Sequence, residues 1–264
     1  MKKGRPFLEI LASAAYEDYR FPILEIFAFL FALGHFAFAN LTVTSSIRSE
    51  ELMIYWLVSS AMGIPLFIFL ILIFKNIAYG LGGDLEKGTI QTYLSYPLSR
   101  RKILTAKLLS AIGIAVLLFF GIQITALLIQ ASALILPNLG TLLLIYAANF
   151  GYVLLLTSII LLFALFIKKG GAALIVGIAV YFAIGIATSI VLLFASISGS
   201  AIFLQAVALL NPSTALSAHY GYIPGNIVWT PSLAEVTYYV VGNYVIIALL
   251  FFLAYYYFSR RMSI

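Results

Sequence analysis

GDLEKGTIQTYLSYPLSRRKILTAKLL, residues 83–109, is a charged segment placed between two long apolar ones. Its seven charged residues are Asp84, Glu86, Lys87, Arg100, Arg101, Lys102 and Lys107. Because ionised side chains are costly in hydrocarbon, this segment lies in water, and the apolar segments beside it end at a membrane surface. It is also the place on the chain where a soluble partner is most easily accommodated.

The remainder of the chain is strongly apolar, which sets the class of protein. Hydrophobic residues make up 64% and charged residues 9% of the 264 residues, whereas soluble domains carry about a quarter charged residues. The sequence therefore predicts an all-α polytopic membrane protein, with residues 1–264 forming one transmembrane domain. The absence of cysteine excludes disulfides, thiolate metal sites and cysteine nucleophiles, and no metal site or catalytic residue is predicted.

Six apolar segments are long enough to cross a hydrocarbon core of about 30 Å, which takes roughly 20 residues in a helix. The predicted spans cover residues 22–42, 52–75, 105–136, 141–167, 172–197 and 236–258. With six spans, fourteen of the fifteen Lys and Arg residues share one side and only Arg48 lies opposite. The positive-inside rule makes that side the cytoplasm, so both termini are expected there and the protein is expected in the cell membrane.

The net charge of +6 is expected to serve the membrane rather than nucleic acid. The basic residues fall at the predicted helix ends, beside anionic lipid head groups. Residues 1–20 are predicted to form an interfacial helix that turns into span 1 near Pro22. Its apolar stripe is predicted to contain Leu8, Leu11, Ala15 and Tyr19.

A second short helix is predicted in the charged loop, residues 83–104. TIQTYLSY supports about two helical turns between Gly88 and Pro97, because the residue before a proline is disfavoured in the helical region. The hydroxyl of Ser99 is placed to cap the helix of span 3. Arg100, Arg101 and Lys102 then occupy the first turn of that helix, where the dipole disfavours cations, so lipid phosphates or an acidic surface are expected to compensate.

The order of residues in this loop resembles the six-span permease subunits of type-2 ABC transporters, most of which are exporters. The loop of that family reads as an acidic residue, Gly-Thr, a short leucine-rich helix, Ser-x-Pro, Ser-Arg and a lysine about seven residues on. The matching positions here are Glu86, Gly88, Thr89, Leu94, Ser95, Pro97, Ser99, Arg100 and Lys107. Outside the loop, only the span count, the orientation and the length agree with the family.

The resemblance implies a mechanism and partners. In that family the loop helix is a coupling helix that docks into a groove on a separate ATPase, and two permeases pair with two ATPases around a central pathway. The second permease is either an identical chain or a homologue. The coupling residues implied are Asp84, Glu86, Gly88, Thr89, Tyr93, Leu94, Pro97 and Arg100. The chain has no G-x-x-x-x-G-K-[ST] phosphate loop, so ATP and Mg²⁺ are expected on the partner and no cofactor on this chain.

Polar residues inside the predicted spans are candidates for lining a pathway. Gln123 and Gln130 are seven residues apart and share a face of span 3, and Asn149 lies at a similar depth in span 4. Amide side chains also hold membrane helices together, for about 1 kcal/mol each. Both interpretations stay open at this point.

The segment of residues 198–235 carries no formal charge before Glu235 and is interrupted by three prolines. Such a segment predicts a re-entrant stretch packed against protein, where non-helical backbone is tolerated at membrane depth. The resembling family often has an outer gate at this position, which implies that role for Gln205, Asn211 and Pro212. The alternative is a neutral surface loop.

Three other classes of protein are weighed against the permease. A stand-alone channel or secondary transporter would show intramembrane charges or inverted repeats, and no convincing repeat is found. An intramembrane hydrolase would need a nucleophile motif, but His35 and His219 stand without G-x-S-x-G or H-E-x-x-H. A membrane scaffold that transports nothing stays open as an alternative.

Overall fold

The computed structural model describes residues 6–39, 49–221 and 229–262, and within these ranges the chain is helical without any strand. This confirms the predicted all-α class. The α-helices of the described ranges are α1 Pro6–Tyr19, α2 Ile23–Phe38, α3 Glu50–Lys75, α4 Gly83–Glu86, α5 Thr89–Leu94, α6 Arg100–Leu108, α7 Ala115–Ile135, α8 Leu139–Ile167, α9 Gly170–Ser198, α10 Ala201–Leu210, α11 Ser213–His219 and α12 Leu233–Tyr256.

In the described chain, four continuous helical stretches are long and apolar enough to cross a membrane: Glu50–Glu86, Arg100–Ile167, Gly170–Ser198 and Leu233–Arg261. The second has 68 residues but is folded back on itself. The rings of Phe120 and Phe150 are 5.0 Å apart, whereas a straight helix would separate them by about 45 Å. The reversal lies at the 3₁₀ turn Leu136–Asn138, so α7 and α8 are two crossings.

The first predicted span corresponds to α2, which meets α1 at 63°. Helix α2 has 16 residues within the described range, which is shorter than a full crossing requires. Together, α1 and α2 are long and apolar enough to form one bent span. The count of six crossings therefore stays a prediction, and the polytopic membrane fold itself is confirmed.

Helix α3 runs further than the sequence predicts. It continues through a π-helical segment, Asn76–Gly82, into α4, so one helical rod reaches Glu86. The predicted loop of residues 83–104 therefore begins inside a helix. Two more π-helical segments, Leu109–Ile114 and Tyr257–Arg261, follow α6 and α12. Wider π turns of this kind are frequent at functional sites.

The helices begin and end at two opposite ends of the molecule. The end that contains α5 is called the loop end, and the opposite one the far end. At the loop end, Arg100 donates a hydrogen bond to the carbonyl of Met262 at 2.9 Å. At the far end, Asn138 donates to the Glu50 carboxylate at 3.3 Å, and the Tyr55 ring stacks on Tyr220. Every Lys and Arg of the described ranges lies at the loop end, whereas the acidic residues Glu50, Glu51 and Glu235 lie at the far end.

The core lies along α3 and α8. Phe69 of α3 packs against the rings of Phe119 and Phe150 at 5.2 and 5.0 Å. Helix α9 is the reverse case, because only four of its 29 residues are buried. Its outward side chains include Ile175 and Phe182, which are 70% and 57% exposed. An apolar surface of this length is covered by lipid or by another apolar chain.

Helix α1 is rotated relative to the prediction. The buried residues are Ile10, Ala14 and Asp18 at four-residue steps, together with Tyr19. Leu8, predicted for the apolar stripe, is 47% exposed. The predicted stripe was wrong at Leu8, whereas Tyr19 is buried as predicted. Asp18 is buried as well because α1 packs on α6 and on the π segments, where Ser110 donates a hydrogen bond to its carboxylate.

The uncharged segment after α9 folds back against the helices, as predicted. Helices α10 and α11 pack on α8, α9 and α12. Asn211 and Pro212 interrupt the helix between them. Asn243 of α12 donates to the carbonyls of Leu209 and Leu210, both at 3.0 Å, which caps α10. Residues 222–228 of this segment, with the predicted break at Pro224, lie outside the described residues.

Candidate functional site

The loop helix α5 is built as the sequence predicts, with one difference in length. Gly88 precedes it with φ 75°, a left-handed conformation that favours glycine. The helix ends at Leu94 rather than Tyr96, and turn hydrogen bonds from Ser95 and Tyr96 lead to Pro97. Ser99 then accepts a hydrogen bond from the Lys102 amide at 3.4 Å, which confirms the predicted cap of α6.

The surface that α5 offers to solvent differs from the predicted one. Ile90 is buried, and Tyr93 and Leu94 are half-buried against the core. The predicted contact of Tyr93 and Leu94 with a partner therefore stays a prediction, although both side chains already pack within the chain. The exposed residues of the helix and its following turn are Gln91, Thr92, Ser95, Tyr96 and Pro97. Residues three and four positions apart share one face of a helix, so the apolar Ile90, Tyr93 and Leu94 could have been assigned to the inner face from the sequence. The remaining residues would then have been identified as the exposed surface.

Asp84 and Lys107 form an ion pair inside the protein. Their side chains are 4% and 3% exposed, and a third charged group, the half-exposed Glu17 of α1, lies 3.7 Å from the ammonium. Burial raises the pKa of Asp84 above its usual range, and the attraction of Lys107 opposes that rise. Lys107 also lies 4.9 Å from the centre of the Tyr93 ring. Asp84, a predicted coupling residue, is thus turned inward and holds α4 to α6.

Side chains of α1 satisfy backbone groups that a π turn frees. The hydroxyl of Tyr19 donates to the carbonyls of Ser110 and Ala111 at 3.1 and 3.2 Å. Asn76 donates to Ala111 at 3.2 Å from the π segment after α3. Ser110 in turn donates to the carboxylate of Asp18, whose pKa burial raises to about 6. Both π segments and α1 are therefore joined by one buried network.

Glu86 and Arg100, two further charges of the loop, also have partners within the chain. The Glu86 carboxylate accepts a hydrogen bond from the amide of Gly170 at 3.0 Å, which joins α4 to the start of α9. Arg100 donates a hydrogen bond to the carbonyl of Met262 from the first turn of α6. The predicted contact of Arg100, Arg101 and Lys102 with lipid phosphates or an acidic surface stays a prediction. The coupling role of Glu86, Gly88, Thr89, Pro97 and Arg100 stays a prediction.

Gln123 and Gln130, the predicted pathway amides of span 3, have a partner in α2 that the sequence did not select. His35 is fully buried, with one ring nitrogen 2.7 Å from the Gln123 side chain and the other 3.0 Å from Gln130. The three side chains join α2 to α7 through polar contacts. Lining of a pathway by these two amides stays a prediction.

Asn149 and Asn211 come together on a different surface. Both line a cavity of about 170 Å³ between α3 and α8, and Asn211 also lines an adjoining cavity of about 610 Å³ along α9. Asn211 and Pro212, predicted for an outer gate, form the break between α10 and α11, and Pro212 is buried. Gln205 lies half-buried on α10, and its gating role stays a prediction.

Comparison with known proteins returns one family. The family model described as ABC-2 family transporter protein matches residues 81–262, well over half of the chain. The matched region begins just before α4 and contains the charged loop, α5 and all later helices. No curated protein matches the chain significantly.

Proposed function

The chain belongs to the ABC-2 transporter family, and we propose that its charged loop couples transport to a separate ATPase subunit. The protein is a multi-pass membrane permease of an ABC transporter, a class whose membrane subunits work with an ATPase partner. The proposal concerns how that partner is engaged, on which side of the membrane, and in which direction the substrate moves.

The observation that carries the proposal is the exposed surface of α5. Gln91 and Thr92 are exposed at the loop end, and Tyr96 in the following turn keeps 37% of its surface exposed. A short helix with an aromatic residue at its end offers the kind of anchor that dominates protein interfaces. This surface is proposed as the ATPase contact.

The internal contacts of the loop give a route for movement. Tyr93 and Asp84 both contact Lys107 of α6, and Glu86 is bonded to Gly170 at the start of α9. A displacement of α5 is therefore passed to α6 and α9, which are continuous with two membrane-length stretches. Closure of the ATPase is proposed to move these helices as rigid bodies and to switch access to the pathway.

The further partners follow the same proposal. ATP and Mg²⁺ bind to the ATPase, because the chain has no phosphate-loop sequence. Two permeases and two ATPases assemble, and the exposed apolar face of α9 supports contact with a second permease, either identical or homologous. Export is the proposed direction, as the resemblance of the loop implies.

Replacing the exposed aromatic residue tests the docking surface. We expect Tyr96→Ala to reduce copurification of a phosphate-loop ATPase from source membranes at least about tenfold, since truncating an aromatic hot spot of an interface costs about 2 kcal/mol or more. Tyr238→Ala, at a residue that is 69% exposed on α12, is the matched control and should copurify normally. Equal ATPase recovery and ATP turnover in Tyr96→Ala would contradict the assignment of α5.

The orientation is tested by single cysteines in this cysteine-free chain. All described Lys and Arg residues lie at the loop end, which supports a cytoplasmic loop end and cytoplasmic termini. Thr92→Cys and Lys169→Cys should react with an impermeant maleimide only after the cytoplasmic face is opened. Ser198→Cys should react in intact cells, and labelling of Thr92→Cys from outside would reverse the proposed topology.

A further inference from the structure

Two cavities join at the far half of the molecule. The larger, of about 610 Å³, runs along α9, and the smaller, of about 170 Å³, lies between α3 and α8. Tyr152, Tyr181 and Asn211 line both of them, so the two cavities meet at these residues. The volume of the larger cavity falls within the range of about 300–1,000 Å³ that is usual for small-molecule sites.

The walls of this joined cavity contain no Asp, Glu, Lys, Arg or His among the described residues. Phe67 and Phe182 flank the Tyr181 ring at 5.8 and 5.3 Å and supply an aromatic surface. A cavity of similar volume at the loop end is lined instead by six charged residues, which are Glu17, Asp18, Arg20, Lys75, Glu86 and Lys87. The protein therefore separates a charged cavity from a neutral one.

The neutral cavity nevertheless contains unused hydrogen-bonding groups. Within the described chain, the hydroxyls of Tyr152 and Tyr181 have no hydrogen-bond partner. Asn149 uses its amide nitrogen on the carbonyl of Ile145, which leaves its oxygen free. Asn211 uses its oxygen to accept from Ser213, which leaves its nitrogen free. The site thus offers both donors and acceptors, all without charge.

We propose that this cavity binds the transported molecule and selects an uncharged amphiphile, with an apolar body and one or two neutral hydrogen-bonding groups. The inference rests on the proposed permease function. An ionised group entering this cavity loses its hydration and finds no counter-ion, which costs several kcal/mol. A hydroxyl or amide group finds partners at Tyr152, Tyr181 and the two asparagines, while its apolar body contacts Phe67 and Phe182. Asn211 also stands at the break between α10 and α11, so a bound molecule lies against the predicted outer gate.

Two glycines give a matched pair of variants for the test. Gly185 lines the larger cavity, and a Cβ placed there meets no atom within 4 Å. Gly185→Leu therefore adds a bulky side chain to the cavity wall from a Cβ position that is free of contacts. Gly121 of α7 has equally open surroundings and does not line either cavity, so Gly121→Leu adds the same side chain elsewhere on the apolar surface.

The probes are three diazirine photolabels on the same decyl chain, ending in a hydroxyl, a carboxylate or an ammonium group. They are applied to the purified chain in lipid nanodiscs without an ATPase, and adducts are mapped by peptide mass spectrometry. We expect the hydroxyl probe to label peptides with Tyr152 and Tyr181, and Gly185→Leu to reduce that labelling at least about tenfold, a binding loss of about 1.4 kcal/mol. Gly121→Leu should leave it unchanged, and the charged probes should show no labelling that depends on Gly185.

Two results would overturn the inference. Equal labelling of wild type and Gly185→Leu by the hydroxyl probe would mean that the probe reports the lipid-facing surface and not the cavity. Equal dependence on Gly185 for all three probes would remove the selection against charge. Because no ATPase is present, this result is independent of docking at α5. If the ATPase copurifies normally but the hydroxyl probe does not bind, the proposed substrate class is contradicted and the proposed docking at α5 is not.

Discussion

Lys107→Met should destabilise the protein by about 3–5 kcal/mol, because it leaves the buried carboxylate of Asp84 without a counter-ion. Both side chains of the pair are nearly inaccessible to solvent, at 3% and 4% exposure. Thermal unfolding of the purified chain in detergent, followed by the loss of monodisperse protein, measures the effect. The half-exposed partner Glu17 gives the matched control, since Glu17→Gln removes a solvent-screened charge and should cost less than about 1 kcal/mol.

The Lys107→Met defect should also depend on pH in a defined direction. Burial already raises the pKa of Asp84, and loss of Lys107 removes the attraction that opposes this rise. The native state of the variant then keeps a proton that the unfolded state releases, so its stability increases as the pH falls toward the usual pKa of aspartate. The difference in unfolding temperature from wild type should therefore shrink at acidic pH. Asp84→Val combined with Lys107→Met should recover most of the loss, and a double variant as unstable as Lys107→Met alone would contradict this account.

Gly170→Ala and Gly171→Ala should have opposite effects, although the two residues are adjacent. A Cβ at Gly170 would lie 2.9 Å from the carbonyl oxygen of Ala78 and 3.3 Å from the amide nitrogen of Gly83, both backbone atoms that cannot turn aside. The substitution separates α9 from the π segment after α3, and overpacking of this kind costs about 1–3 kcal/mol. It also weakens the hydrogen bond between the Gly170 amide and Glu86.

Gly171 provides the control for this prediction. A Cβ there meets nothing within 4 Å, so Gly171→Ala gains helix propensity, up to about 1 kcal/mol. Unfolding temperatures should therefore fall for Gly170→Ala and stay level or rise for Gly171→Ala. Equal unfolding temperatures for the two variants would mean that α9 does not approach the π segment closely. Gly82→Ala tests the same close contact between α9 and the π segment from the side of the π segment, because the added Cβ would lie 3.3 Å from the Gly170 Cα.

Features that depend on neighbouring residues could be predicted from the sequence. Ser99 caps α6 because a hydroxyl at that position reaches the amide three residues on. The breaks at Gly88 and at Asn211–Pro212 follow from the backbone preferences of glycine and proline. The loop helix α5 lies between Gly88 and Pro97, two residues that interrupt helices. The ordered motif around it indicates the same family as the matching family model.

Other features arise from residues far apart in the chain. Asp84 and Arg100 looked like free charges for a partner, but Lys107 and the carbonyl of Met262 engage them. The buried face of α1 is shifted by about one residue from the predicted stripe and includes Asp18. The Asp18 carboxylate can be buried because Ser110 donates a hydrogen bond to it. His35, Gln123 and Gln130 form one cluster only once α2 lies beside α7.

The sequence by itself determined the membrane class, the break at Gly88 before the loop helix and the cap of α6 by Ser99. These follow from composition and from interactions within a few residues, whose energies do not depend on the fold. Only the tertiary structure decided which polar groups are buried, because burial of a charge is tolerated only where a counter-ion or hydrogen-bond donor arrives from another helix. It also decided which glycines cannot be replaced, since backbone atoms of Ala78 and Gly83 approach Gly170 while nothing approaches its neighbour Gly171.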